Sequence, residues 1–151
     1  MNDKERNQPN RGTRIARVGA ICYFLWGLVH YQASYGVFLL ASKLPASMER
    51  GRINQDAFYL ACFATTGIAV AILLNWRNDR FGFWLNAIAI SAGDIPFILF
   101  VLLPGYTAFW PGALGPVLWI AALTCTGLGR SLSVQAGPDV RLLSNRASVE
   151  P

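Results

Sequence analysis

The sequence predicts an all-α integral membrane protein, a bundle of four transmembrane helices with both termini on the cytoplasmic side. Three observations carry that expectation. Of 151 residues 54% are hydrophobic and 14% charged, with a mean hydropathy of +0.37. Asp94 is the one ionised side chain between Phe81 and Gly129. The apolar residues fall into four runs long enough to cover about 30 Å of hydrocarbon as helix, separated by polar connections.

The elements follow in order. Residues 1–13 are polar, hold Pro9 and Gly12 and show no apolar period, so they are expected to be a disordered tail. The membrane domain spans 14–129, its first helix covering about 13–42. A connection over 43–54, with Pro45 and three basic residues, leads to helix 2 over about 55–76. Arg77 to Arg80 can form only a tight turn between antiparallel neighbours. Helix 3 covers about 81–103; Pro104 and Gly105 punctuate the chain, and helix 4 covers about 108–128. Residues 130–151, rich in Ser, Gly and Arg, are expected to be a second disordered tail. The first apolar run, from about Val18 to Ala41, is too long for the ~7 to 15 residues of a signal-peptide core.

Orientation follows from the basic residues. Lys4, Arg6, Arg11, Arg14, Arg17, Arg77, Arg80, Arg130, Arg141 and Arg146 fall on one side, against Lys43, Arg50 and Arg52 on the other. The richer side is expected to be cytoplasmic, in a plasma or inner membrane. The lipid bilayer is thus the first partner, and the charge distribution excludes a basic nucleic-acid binder. Trp76, Phe81 and Trp84 suit the inner boundary, and Phe58, Tyr59, Tyr106, Phe109 and Trp110 the outer one.

In lipid, small and polar residues mark helix contacts, and large apolar ones face the tails. Helix 1 places Gly19, Tyr23, Trp26, Gly27, His30, Ala33, Ser34 and Val37 on one stripe, expected inside the bundle. Ile21, Leu25, Leu28 and Leu39 fall opposite, together with Gln32 and Tyr35, whose polarity suggests a homo-oligomer or partner-subunit contact. Helix 3 aligns Phe83, Ala87, Ile90, Ser91, Asp94, Phe97, Ile98 and Val101, with Asn86 at the edge. Helix 2 offers Cys62, Thr65, Thr66 and Ala69; helix 4 offers Gly112, Gly115, Trp119, Ala122 and Thr126.

Asp94 demands a reason, since a carboxylate at the centre of a membrane helix costs ~2.5 to 3.5 kcal/mol even on the mildest insertion scale. It needs an inward partner or a proton. Counting from the same membrane side, His30 lies ~18 Å deep and Asp94 ~20 Å, so the only histidine is level with it. An imidazole and a carboxyl in contact can hold and pass a proton. Pro96 removes an amide hydrogen and should bend helix 3, or restart it with Asp94 as cap; Gly115-Pro116 breaks helix 4 at a similar depth. Two kinks at one level suggest a pocket in the outer half, floored by Trp26, His30 and Asp94. Tyr23, Ser34, Thr66, Ser91, Phe97 and Trp119 are its candidate ligand contacts.

No metal or cofactor is expected. Cys22, Cys62 and Cys125 sit singly in apolar runs, and one histidine without a second ligand does not make a haem site. There is no Walker loop, G-x-S-x-G elbow or H-E-x-x-H to support nucleotide hydrolysis, serine hydrolysis or zinc proteolysis. The functional expectation is binding or acid–base conversion, by isomerisation or cyclisation, of a hydrophobic small molecule at Asp94 and His30. The alternatives are a non-enzymatic assembly subunit and a proton-coupled transporter acting as an oligomer.

Overall fold

The computed structural model describes residues 11–147, with side chains through Gln135. The expected N-terminal tail up to Asn10, and residues 148–151, lie outside the described residues. Five α-helices follow in order: α1 Arg11–Ser42, α2 Met48–Leu73, α3 Arg80–Phe97, the single turn α4 Phe109–Gly112, and α5 Leu114–Ala147. A 3-10 turn, Asn75–Arg77, follows α2, and a π-helical turn, Ile98–Leu102, prolongs α3. No strand occurs among the described residues. Three stretches are long and apolar enough to cross a membrane: Met48–Arg77, Arg80–Leu102 and Leu114–Gln135. The longer α1 is not among them, because His30, Gln32 and its tyrosines lower its hydropathy.

Several boundaries differ from the sequence expectation, each for a local reason. Helix α2 begins at Met48, not near Gln55, because Ser47 caps it: its hydroxyl accepts the Arg50 amide at 3.2 Å, and Glu49 sits in the first turn. Hydrocarbon thickness limits the apolar run, not the helix. The last helix starts at Leu114, since Trp110 is extended (φ −116°, ψ 126°), the conformation a following proline imposes. It then runs to Ala147, past the expected end at Leu128 and through residues expected to be disordered. Extending a helix already formed is far easier than nucleating one.

Helix α1 is the centre of the bundle and packs most heavily on α5 and α2. Its buried positions, Gly12, Ala16, Gly19, Ala20, Tyr23, Trp26, Gly27 and His30, recur at helical spacing, and many are small. Small residues bring backbones together. A Cβ on Gly129 of α5 would lie 2.6 Å from the amide nitrogen of Ala16 and from the carbonyl oxygen of Gly12. One on Gly19 would lie 2.8 Å from the Thr126 amide nitrogen. The exterior is built of large apolar side chains, Ile21, Leu25, Leu28, Ile88, Leu99, Phe100 and Ile120 among them, all exposed. A greasy exterior around an interior that holds His30, Asn75, Asn86 and Asp94 is the arrangement lipid selects.

The α2–α3 turn sits at the same end of the bundle as the start of α1 and the later half of α5. The Arg17 guanidinium lies 5.3 Å from the Trp76 ring centre. Asn78, in the left-handed region at φ 57°, donates its amide to Ser133 Oγ (2.9 Å) and the Gly129 carbonyl (3.3 Å). The next residue, Asp79, caps α3 by accepting the Gly82 amide at 2.9 Å. Arg17, Arg77, Arg80 and Arg130 therefore cluster at one end.

Candidate functional site

Helix α3 buries Gly82, Asn86, Ile90 and Asp94, one residue every four, so Asp94 is the last member of its inward stripe. Pro96 does not interrupt the helix: Phe97 keeps helical angles (φ −60°, ψ −45°), and no restart with Asp94 as cap occurs. The hydrogen bond that proline cannot donate is followed by a π-turn in which the Leu103 amide reaches the Ile98 carbonyl at 2.9 Å.

Asp94 is fully buried, and α1 brings two side chains to it. The Trp26 indole Nε1 donates to Asp94 Oδ2 at 2.7 Å. His30, one turn further along, stacks on the Trp26 ring with centroids 3.7 Å apart and an interplanar angle of 26°. Its Nδ1 donates to the Trp26 carbonyl at 2.9 Å, and its Nε2 lies 3.6 Å from Asp94 Oδ1. From α5, Gly115 closes the space: a Cβ there would lie 2.8 Å from His30 Cε1. The imidazole is thus clamped between the indole and a helix backbone.

This geometry fixes the hydrogen on Nδ1. A carbonyl only accepts, so Nδ1 carries a hydrogen and the neutral imidazole presents a bare Nε2 to Asp94. Oδ2 accepts from the indole, while Oδ1 makes no hydrogen bond. Two lone pairs facing each other beside a buried, uncompensated charge would be expensive. One proton between Oδ1 and Nε2 removes that cost, either on the carboxyl with a neutral imidazole or on the imidazolium with a carboxylate. Both forms are neutral overall, and together they make a carboxyl that can give a proton beside an imidazole that can take one.

The other expected contacts divide. Tyr23 is fully buried and packs with Trp26, Ile90 and Ala122 in the core next to the site. Ser91 accepts the Trp119 indole at 3.1 Å and donates to its own helix at the Ala87 carbonyl, joining α3 to α5 one turn before Asp94. Phe97 is half-buried. Ser34 is not part of this group, since its hydroxyl donates to the Ala57 carbonyl at 2.6 Å and ties α1 to α2. Thr66 is exposed, as are Cys62 and Thr65, so the inward face of α2 is not the one expected. Ala57, Ala64, Gly67, Val70 and Ala71 are buried in their place. Thr65 shows why: its hydroxyl is satisfied at the Ala61 carbonyl (2.8 Å) and at the Tyr31 hydroxyl (2.6 Å) and gains nothing from turning inward.

Three positions near the site carry more than the sequence suggested. Asn86, expected at an edge, is fully buried and donates to the Gly67 carbonyl at 3.3 Å. Gly67 lets Trp26 in, since a Cβ there would meet the indole at 3.2 Å. Gly115, expected with Pro116 to break helix 4, instead lies in the first turn of an unbroken α5, where it makes room for His30. Beyond His30, Ala33 is exposed and Ser34 and Val37 are half-buried, before α1 buries Ala41 near its end. No family model, curated protein or solved structure matches this chain. The site therefore has to be interpreted from its own chemistry.

Proposed function

We propose that the chain is a four-span membrane protein with both termini cytoplasmic, in which Asp94 and His30 give and take a proton on a bound lipid-soluble small molecule. The observation that carries the chemistry is the buried pair, Nε2 to Oδ1 at 3.6 Å, with its outer nitrogen anchored on a carbonyl and its outer oxygen on an indole. Such a pair suits isomerisation or cyclisation, in which one group protonates a substrate and the other removes a proton. One feature favours a ligand reaching it: His30 keeps a side-chain exposure of 11%.

The fourth span is α1. In support, Val18, Ile21, Leu25, Leu28, Phe38 and Leu40 are all exposed on it, whereas Tyr23 and His30 are turned inward. Water would penalise that surface, and hydrocarbon would not. The basic end formed by Arg17, Arg77, Arg80 and Arg130 favours a cytoplasmic location for both termini. Single cysteines in a background lacking the native three decide it: residues 43–47 should react with an impermeant thiol reagent on intact cells, and the start of α1 should not. Labelling at the start of α1 on intact cells would reverse the orientation.

The test of function is mass spectrometry of what remains bound after gentle purification. The wild type should retain a stoichiometric hydrophobic molecule, and Asp94→Asn should release it or hold an unconverted form. A second reading, a subunit packing against a larger membrane assembly, is favoured by one observation: Gln32 and Tyr35 are exposed on α1, and Gln32 hydrogen-bonds to none of the described residues. A stoichiometric protein partner with no small molecule would select it.

A further inference from the structure

The basic end of the bundle holds a cleft that the proton pair does not use. It measures about 510 Å³ and is lined by Phe83 of α3 and by Gly127, Arg130, Ser131, Val134 and Gln135 of α5. Its two characters are distinct. Phe83, Gly127 and Val134 are apolar, while Arg130 and Gln135 bring hydrogen-bond donors and the Ser131 hydroxyl, which donates to the Gly127 carbonyl at 3.1 Å, can still accept. Gly127 makes the floor: a Cβ there would lie 3.7 Å from the Phe83 ring, an ordinary contact, so a larger side chain at this position would fill the cleft without forcing the helices apart.

Arg130 is held ready. One guanidinium nitrogen donates to the Asn78 carbonyl at 3.3 Å, and Asn78 is itself fixed by Ser133 and Gly129. That contact uses one of five N–H donors. Among the described residues no carboxylate lies within 4.0 Å of Arg77, Arg80 or Arg130. Asp79, between Arg77 and Arg80 in sequence, is engaged in capping α3. Trp76, Phe81 and Trp84, exposed around this end, are the side chains expected at headgroup level.

We propose that this cleft binds one anionic phospholipid, its phosphate on Arg130, its headgroup hydroxyls on Ser131 and Gln135, and the first acyl carbons along Phe83, Gly127 and Val134. A free anion would leave the apolar half empty. A zwitterionic lipid brings its own cation to the phosphate and gains less from an unpaired arginine. The proposal rests on the bilayer reading and not on the acid–base one, and the cysteine labelling above tests the bilayer reading separately.

The experiment is native mass spectrometry of the full chain in detergent with equal amounts of dioleoylphosphatidylglycerol and dioleoylphosphatidylcholine. One cation near the membrane surface favours an anionic lipid by about fivefold, so a preference of at least about fivefold is expected for the wild type. Gly127→Leu, which leaves Arg130 and its Asn78 contact in place, should reduce retention of the anionic lipid to that of the zwitterionic one. Arg130→Gln should do the same, and Arg80→Gln, with the same change of charge, should not. Equal retention of the two lipids by the wild type would overturn the proposal. So would an equal loss in Arg80→Gln and Arg130→Gln, which marks diffuse attraction, or undiminished binding in Gly127→Leu. Displacement of the lipid by glycerol 1-phosphate alone would show a headgroup-only anion site and overturn the lipid assignment. If Arg130→Gln fails to fold, Gly127→Leu and Arg80→Gln still decide the matter.

Discussion

Asp94→Ala should unfold the bundle at markedly lower temperature, whereas Asp94→Asn should fold at least as well as the wild type. The alanine leaves the Trp26 indole N–H without its acceptor inside the core, about 1–3 kcal/mol, and removes the group that faces the His30 nitrogen. Asparagine restores both contacts, because its oxygen can accept from the indole and its NH2 can donate to Nε2. It mimics the protonated acid but holds no transferable proton. Ligand conversion or pH-dependent binding should therefore vanish in Asp94→Asn while stability persists. Combined with His30→Ala, the asparagine should be non-additive, with a coupling of about 0.5–3 kcal/mol. Thermal unfolding in a fixed detergent measures all five proteins; additive losses, or an Asp94→Ala protein as stable as Asp94→Asn, would dissolve the pair.

Gly129→Ala should be among the most damaging added methyls in the molecule. An exchange of glycine for alanine within a helix ordinarily stabilises by about 0.5–1 kcal/mol. Here the added carbon would sit 2.6 Å from two backbone atoms of α1, which cannot swing aside as a side chain can. The helices must part, and overpacking of this kind costs about 1–3 kcal/mol or more. Gly93→Ala is the control, since a Cβ at that position meets nothing within 4 Å. Its unfolding temperature should match or exceed that of the wild type. A Gly129→Ala protein of wild-type stability would mean that α1 and α5 do not approach as described.

How much of this was legible in the sequence depended on whether a residue's chemistry had only one tolerable place to go. A carboxylate in an apolar run must face inward, and with both helices starting from one end at 1.5 Å per residue the histidine came out level with it. The inward stripe of α1 from Gly19 to His30 was readable for the same reason: polar and small residues share one face and large apolar ones the other. Helix α2 offered no such contrast. Its core face is alanine, glycine and valine, its lipid face is apolar too, and its threonines satisfy themselves locally, so the polar positions pointed the wrong way. The start of α2 at Ser47 was hidden by its arginines, which a helix can carry once it leaves the hydrocarbon. The indole of Trp26 was placed at the site, but its hydrogen bond to Oδ2 depends on side-chain direction, which no residue count provides.

The central claim is that one proton sits between His30 and Asp94 and that a carbonyl holds the far side of the ring. Because the chain has a single histidine, protein labelled with 15N in the imidazole yields one pair of ring resonances. The measurement is that spectrum, recorded on the folded protein in lipid nanodiscs for the wild type and Asp94→Asn. Nδ1 should carry a bonded hydrogen in both. In the wild type Nε2 should report the acid proton, either bonded to it or held on Oδ1 across the 3.6 Å gap, and in Asp94→Asn it should be bare, facing only the amide. A spectrum with a bare Nδ1 and a fully protonated, unshared Nε2 would contradict the account, because the ring would then have lost the Trp26 carbonyl and presented a second donor to the acid.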